Sequence, residues 1–488
     1  MKRHLTLFST FLLNILVFSQ NLEINKGELY YGDSYTRESD ILAEKDGLIY
    51  TCQYSVIKRS KRKPNPLIHT LDKDLNVIAT KEIFSLRRND VIVKLFYTNN
   101  KFHVFFERIV SADYTSTLFV SELNEDGTIS SNIKAIAKVH ALTSKTFSIR
   151  LSTDSTNYIV ECYDNYRSSA ITIGKSAKYR LHLIHINMDL EIVKTINSNH
   201  IFSDSYFQSY LYTEDGTLFY IKFDSLFINS PTNEDIAEIQ LPKFDSLVFL
   251  DQKMIYDPNR NLLYIAGLLT EPLSRKLRPA SNTFTLYSTS YYWIKIDCKT
   301  NEVLESKNQT YSEEILNTFS KNENSRLNNK FWMSQLSKID LDNHGNLTLN
   351  LRHLERKDIA NGNTSQVLWR SKGALILNLD GKGEILWYQS INLYQTLNSL
   401  KTFIEYSKWI GDKFLFVYSN FLDNDPKLVA SYLNDRGQIV SSTEENLENN
   451  QYVFLHQKNF ALNDRIVLSA FEKDGLFKSN LFFLELSY

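Results

Sequence analysis

The chain is poor in cysteine, and the little it has is scattered. Cys52, Cys162 and Cys298 stand far apart in 488 residues, with no C-x-x-C pair for metal or redox chemistry. Each lies in or beside an apolar, strand-like run, so all three read as small buried hydrophobes. The fold must therefore rest on core burial without disulfide staples, which a chain of this size can do. Pro- or Gly-rich linkers, low-complexity tracts and composition breaks are also lacking after residue 30. Length alone would suggest about three domains, yet nothing in the sequence divides them. Nor is there an excess of one charge: Lys and Arg number 55 against 56 Asp and Glu, a net charge of −1. That balance argues against a global electrostatic footprint for nucleic acid or an anionic membrane. Past the N-terminus no stretch approaches about 18 continuous apolar residues, so no transmembrane segment is expected. G-x-S-x-G, H-E-x-x-H and phosphate-cradling Gly-rich loops are missing too.

What is present begins with a leader. Lys2 and Arg3 precede an apolar run from Leu5 to Phe18, and Val17 and Ser19 sit correctly for cleavage before Gln20. The run is short for a bilayer span and carries Ser9, Thr10 and Asn14. Residues 1–19 are thus read as a signal peptide and 20–488 as one exported domain, periplasmic or extracellular. Loss of Lys2 and Arg3 brings the net charge to −3.

From there the sequence repeats one phrase: strand, polar turn, strand, variable loop, strand, acidic or Asn-rich turn, strand. The first turns precede Gly47, Lys101, Asn157, Thr217, Asn261, Asn346, Lys413 and Arg465. The later turns read LDKDLNVI from Leu71, LNEDGTIS from Leu123, INMDLEIV from Ile186, IDCKTNEVL from Ile296, LDGKGEILW from Leu379 and LNDRGQIV from Leu433. Asp, Asn and Gly belong here because such turns need left-handed or Asx-type backbone. Eight units fit, at spacings of about 45 to 85 residues, although seven remain compatible. The eighth unit stops after three strands, ending in the apolar LFFLELSY, while Leu22 to Tyr31 is a strand-like segment with no unit of its own. Pairing the two would close a ring and cover an exposed edge.

This pattern resembles β-propellers broadly. GALILNLDGKGEILWYQ, from Gly373 to Gln389, is similar to a blade phrase of quinoprotein-type propellers, where an Asp-x-x-Gly turn precedes a Trp. In other units Val193 and Leu304 stand near the Trp position, so the resemblance implies a blade and not a bound quinone. The expected fold is all-β: a single closed β-propeller of about eight four-stranded blades, its N-terminal strand completing the last. The leader and the Lys-, Ile- and Asn-rich composition are similar to exported proteins of the Bacteroidota.

Propeller topology puts the second-to-third strand loops and the inter-blade links on one face. There the sequence lengthens, at Lys58 to Pro66, Asp164 to Ala177, Glu271 to Thr289, Glu355 to Ser371 and the link Tyr311 to Asn329. This face is the expected binding surface. Tyr163, Asp164, Tyr166 and Arg167 combine aromatic platforms with hydrogen-bonding groups, as do Arg352, His353, Arg356, Trp369 and Arg370. Such mixtures suit sugar or peptide binding through ring stacking and bidentate arginine contacts. KRSKRK from Lys58, with Arg275, Lys276 and Arg278, reads as solvated loop charge, with contact to a polyanion as the sharper alternative. The link from Ser312 reads as a short helix with Ser312 as N-cap. His182 and His185, three apart on a strand, face opposite sides and share no metal. Asp340, Asp342, Asn343 and Gly345 read as a β-turn, since the glutamate of a calcium loop is missing. Carboxylates at second-strand ends, Glu107, Asp164, Asp224 and Glu355, could in principle supply a glycosidase pair. The favoured reading is a monomeric, cofactor-free, metal-free and non-enzymatic recognition or scaffolding propeller for a glycan, peptide or protein. The alternative is a carbohydrate-active hydrolase or lyase with carboxylates at the central channel mouth.

Overall fold

Short runs of β-branched and aromatic residues punctuated by Asx-Gly turns can bury themselves only by pairing with their sequence neighbours. They do so eight times. The computed structural model describes residues 22–28, 37–55, 66–84, 87, 90–110, 115–140, 146–152, 156–165, 178–203, 210–213, 216–222, 224–230, 236–244, 247–270, 288, 290–315, 333–361, 364–393, 395–397, 405–420, 427–447, 451–454, 460–462, 465–474 and 478–487. Seven antiparallel sheets follow in chain order, and we number these blades 1 to 7: residues 37–82, 90–140, 147–203, 210–240, 248–310, 333–391 and 405–446. Blade 8 takes residues 451–487 and, as its fourth strand, Glu23–Lys26 from the N-terminus. The ladder there runs from Glu23 opposite Ser487 to Lys26 opposite Leu484. The chain thus forms an eight-bladed β-propeller. Every first turn and every later turn read from the sequence falls between the strands it was assigned to. The leader, residues 1–19, lies outside the described residues.

The core is distributed. Among the described residues the buried apolar side chains form eight clusters, each built by two neighbouring blades. The seam that closes the ring joins Ile49, Leu71 and Leu75 of blade 1 to Val467 and Phe483 of blade 8. Arg465 of blade 8 adds an ion pair to Glu44 of blade 1 and a second, at 2.6 Å, to Glu485. Middle strands face a neighbour on both sides, so they read as continuous apolar runs, as in Leu262–Thr270. Fourth strands are solvated, and Glu302–Thr310 alternates. This is why Val193 is 63% exposed, and Leu304 is exposed with it.

The later turns use one device repeatedly. The leading Asx carboxyl or amide oxygen accepts backbone N–H groups two and four residues on: Asp72 from Asp74 and Asn76, Asp380 from Lys382 and Glu384, Asn434 from Arg436 and Gln438. The fourth position is left-handed, with φ 66° at Leu75, 78° at Gly383 and 73° at Gly437. These turns reach back over the preceding blade. A Cβ on Gly437 would clash with the Trp387 ring, and one on Gly383 would meet the Trp293 indole still more closely. Trp387, the residue behind the quinoprotein-like phrase, is therefore a buried dock for the next blade's turn.

One expectation changes. Glu355 to Ser371 is not a loop: Leu347–Asn361 and Thr364–Leu379 pair throughout, ending with Asn361 opposite Thr364. Pairing of these two strands extends the blade's own ladder outward. Blade 4 is smaller than the other units, with all four strands between Tyr210 and Gln240. The expected helix is described only as one turn, Glu313 to Ile315, where Ser312 Oγ accepts the Ile315 N–H at 3.3 Å and Ile315 is buried. Cys52 and Cys162 are buried and Cys298 is half-buried, and no disulfide joins them. Asp342 and its neighbours form a turn, the carboxylate accepting from His344 and Asn346. No helix among the described residues is long and apolar enough to cross a membrane.

Candidate functional site

Strand alternation decides what Tyr163 meets. Ile159, Glu161 and Tyr163 share one side of Asn157–Asn165, the side turned to blade 4, while Cys162 and Asp164 face blade 2. On the blade 4 side, Glu161 is buried and its Oε2 accepts hydrogen bonds from both Tyr163 and Tyr210 hydroxyls, each at 2.9 Å. The two phenol oxygens lie 2.5 Å apart. Tyr210 belongs to the first strand of blade 4 and Arg150 to the first strand of blade 3, the strands nearest the ring axis. Arg150 Nε stands 3.9 Å from Glu161 Oε1, and Nη2 donates to the Tyr212 carbonyl at 2.9 Å. Burial, then the Glu161 charge, holds the Tyr163 phenol protonated far above its ordinary range. This seam therefore offers two phenols, a carboxylate and a guanidinium whose side chain is 34% exposed.

Asp164 serves the opposite seam. It accepts the His140 backbone N–H at 2.9 Å and faces the His140 ring at 3.2 Å, with His182 Nε2 at 3.9 Å. His182 itself lies 2.6 Å from Asn197 Oδ1. His185 points the other way, edge-on to Tyr212 across the blade 4 seam. The two histidines thus face opposite sides, as their spacing required. Tyr166 and Arg167 lie outside the described residues.

The second group belongs to the blade 6 hairpin. Arg352 is only 4% exposed, opposite Gln335 on one side and Ala374 on the other. His353 is half-buried opposite Met333. Further out, Arg356 stands opposite Trp369 and Glu355 opposite Arg370. Gln395–Leu397 adds a further strand along Trp369 to Ser371. Register brings Arg356 and Trp369 together, but this group sits three blades from Tyr163. The basic loops 58–63 and 275–278 lie outside the described residues.

Of the other nominated carboxylates, Glu107 and Asp224 have partners within the protein. Glu107 accepts Ser116 Oγ at 2.6 Å, and Asp224 pairs with Lys243 at 3.1 Å. Close by, Asp90 takes Arg108 in a bidentate pair at 2.7 and 3.0 Å. Asp251, whose carboxyl burial pushes up from its usual value, accepts the Leu336 and Gln252 N–H groups at 2.9 and 2.8 Å. Among the described residues no cluster of three His, Cys, Asp or Glu side chains is arranged to hold a metal.

Arg150, Glu161, Tyr210 and Tyr212 were not singled out from the sequence, and His185 only as a residue that shares no metal with His182. The i, i+2 spacing of Glu161 and Tyr163 was a usable signal, whereas Arg150 and Tyr210 arrive from other strands with no local mark.

Fold and seams together define an eight-bladed propeller with a polar, aromatic seam between blades 3 and 4. Similar folds occur in a polysaccharide lyase described as an ulvan lyase, 9% identical with TM-score 0.42, over 93% of this chain and 94% of that one. The WD40 domain of SCAP from fission yeast is 9% identical with TM-score 0.37, over 96% and 98%. An oligogalacturonate lyase in complex with manganese is 9% identical with TM-score 0.35, over 82% and 97%. No family model matches the chain, and no curated protein matches its sequence. What each of those proteins acts on is a property of that protein.

Proposed function

We propose that this chain is an exported recognition propeller that binds a glycan, peptide or protein through its long-loop face. One observation carries the reading. Four described carboxylates at that end of the blades are spent on internal donors: Glu107 on Ser116, Asp164 on His140, Asp90 on Arg108 and Glu161 on two tyrosines. A hydrolytic pair needs one carboxyl free to donate a proton and another free to attack or to activate water, about 5 to 9.5 Å apart. Groups held by short internal hydrogen bonds serve preorganisation instead, presenting Tyr163, Tyr210 and Arg150 at the blade 3–4 seam as a rigid polar and aromatic surface.

A glycan and polysaccharide array, with mass spectrometry of the supernatant for products, tests this. Binding without turnover is expected, and Tyr163→Ala should weaken it at least tenfold. Release of shortened saccharides would overturn the reading in favour of the hydrolase or lyase. Export is tested separately: the mature chain recovered outside the cytoplasm should begin at Gln20.

A further inference from the structure

The blade 3–4 seam holds polar atoms that the fold leaves unused. Tyr212 is 5% exposed, yet its hydroxyl has no hydrogen-bond partner among the described residues. His185 Nε2 is likewise buried and unpartnered, and the two rings meet edge to face at 5.2 Å. Buried polar atoms are nearly always satisfied, so two orphans in one contact need an explanation. Arg150 completes the group. Its guanidinium lies over the Tyr212 ring at 5.4 Å, and Nη1 has no partner among the described residues.

Register explains the convergence. Arg150 stands opposite Ile159, Ile159 opposite His185, and His185 opposite Lys194, one row crossing all four strands of blade 3. Directly opposed residues project to the same side, here toward blade 4. Tyr212, from the first strand of blade 4, spans that row and touches both Arg150 and His185.

We propose that this seam takes a carboxylate or similar oxyanion group, held by the Tyr212 hydroxyl, the Arg150 guanidinium and His185 Nε2. This deepens the recognition reading and rests on it. All three groups can donate: a phenol O–H, a guanidinium N–H and an imidazole N–H. The local field favours an anion as well. Burial first, then the charges of Lys194 and Arg150, lowers the proton affinity of His185, so it enters as a neutral ring. Among the described residues Glu161 is the carboxylate beside Arg150 that would repel the ligand, and the hydroxyls of Tyr163 and Tyr210 already share its charge. Charge-assisted hydrogen bonds in a desolvated cleft are the strong kind.

The test uses the mature chain, 20–488, titrated by calorimetry with sodium acetate, sodium sulfate and a uronic-acid trisaccharide at fixed ionic strength. The His185 imidazole is followed by NMR. Bound anion should raise the His185 titration midpoint. Tyr212→Phe should weaken binding about tenfold, the worth of one charge-assisted hydrogen bond, and Arg150→Gln at least tenfold. Tyr212→Phe should fold with unchanged or greater stability, because its hydroxyl has no partner in the protein to lose. Acetate binding as tightly as the trisaccharide would identify a free-anion site; tenfold preference for the trisaccharide would identify the acid group of a sugar. The proposal is overturned if no probe moves the His185 signal, if the variants bind unchanged, or if Tyr212→Phe is destabilised, which would mark a buried water bridging the orphans. Array binding of a neutral ligand without any anion effect would sink this subsite and leave the recognition reading standing.

Discussion

Replacing Gly437 by alanine should reveal how the blades are locked together. Gly437 ends the second turn of blade 7 at φ 73°, a left-handed conformation that costs an L-residue about 1–2 kcal/mol. A second penalty comes from the dock. The new Cβ would lie 2.4 Å from Trp387 Cε3 and 2.7 Å from Cδ2, about 1 Å inside ordinary contact. The indole cannot easily retreat, because it packs against Trp409, whose own Nε1 donates to Thr348 Oγ1 at 2.9 Å. Overpacking of this kind costs about 1–3 kcal/mol, so Gly437→Ala should lose about 2–5 kcal/mol in all. Two other turn glycines separate the terms. Gly411 has φ 62° but nothing within 4 Å, so Gly411→Ala should lose only the conformational 1–2 kcal/mol or so. Gly381 meets nothing within 4 Å and has no left-handed φ, so its alanine variant should stay within about 0.5 kcal/mol of the parent. Urea denaturation followed by far-UV circular dichroism measures all three. Adding Trp387→Ala to Gly437→Ala should relieve the steric part, giving a coupling of about 1 kcal/mol or more in a double-mutant cycle. The docking argument fails if Gly437→Ala and Gly411→Ala cost the same.

Removing residues 22–28 should destabilise the whole ring and promote association, because it unpairs Leu484 to Ser487 and strips Leu22 from the blade 7–8 seam. Leu22→Ala alone should cost about 2–4 kcal/mol, read from the same denaturation curves; unchanged folding and solubility after the deletion would refute closure by this strand. Burial pushes the Cys162 thiol up to about 12, so at pH 8 iodoacetamide should label half-buried Cys298 well before Cys162, as peptide mass spectrometry would show. Equal labelling rates in the folded protein would contradict the burial. Acidification should act through His103, which burial holds below its ordinary 6.5 beside the Tyr158 hydroxyl at 2.5 Å. The unfolded chain then takes up the proton first. Stability is full above about 6.5 and falls as pH drops toward the folded midpoint. His185 is displaced in the same direction and should add to that fall. Urea midpoints from pH 8 to 5 should show the decline, flattened in His103→Asn; an identical slope in that variant would remove His103 as its source.

The repeat was legible because its marks are local. A left-handed residue or an Asx cap is demanded by the turn itself, so Asp72, Asp380 and Asn434 announce their positions whatever surrounds them. The hairpin from Leu347 to Leu379 hid for the converse reason. Its outer half is rich in polar residues, so the apolar run that marks a strand in sequence is missing there, and only the register reveals the pairing. The candidate site divided in the same way. Tyr163 stood out as an aromatic residue beside a polar strand end, but its partners Tyr210 and Arg150 lie 47 and 13 positions away on first strands that carry no special pattern.

Sequence by itself determined that this chain is built from repeated four-stranded units, eight or seven of them, and that an apolar last strand and a lone first strand belong together. Local turn chemistry and the two-residue period of strands are properties of consecutive residues, so they can be read in order. Tertiary structure decided which faces of those strands meet. It placed Trp387 beneath Gly437, turned Asp164 toward blade 2 and Tyr163 toward blade 4, and brought Arg150, His185 and Tyr212 together at one seam. Those meetings depend on how neighbouring blades stack, a relation between residues distant in the chain that no local pattern encodes.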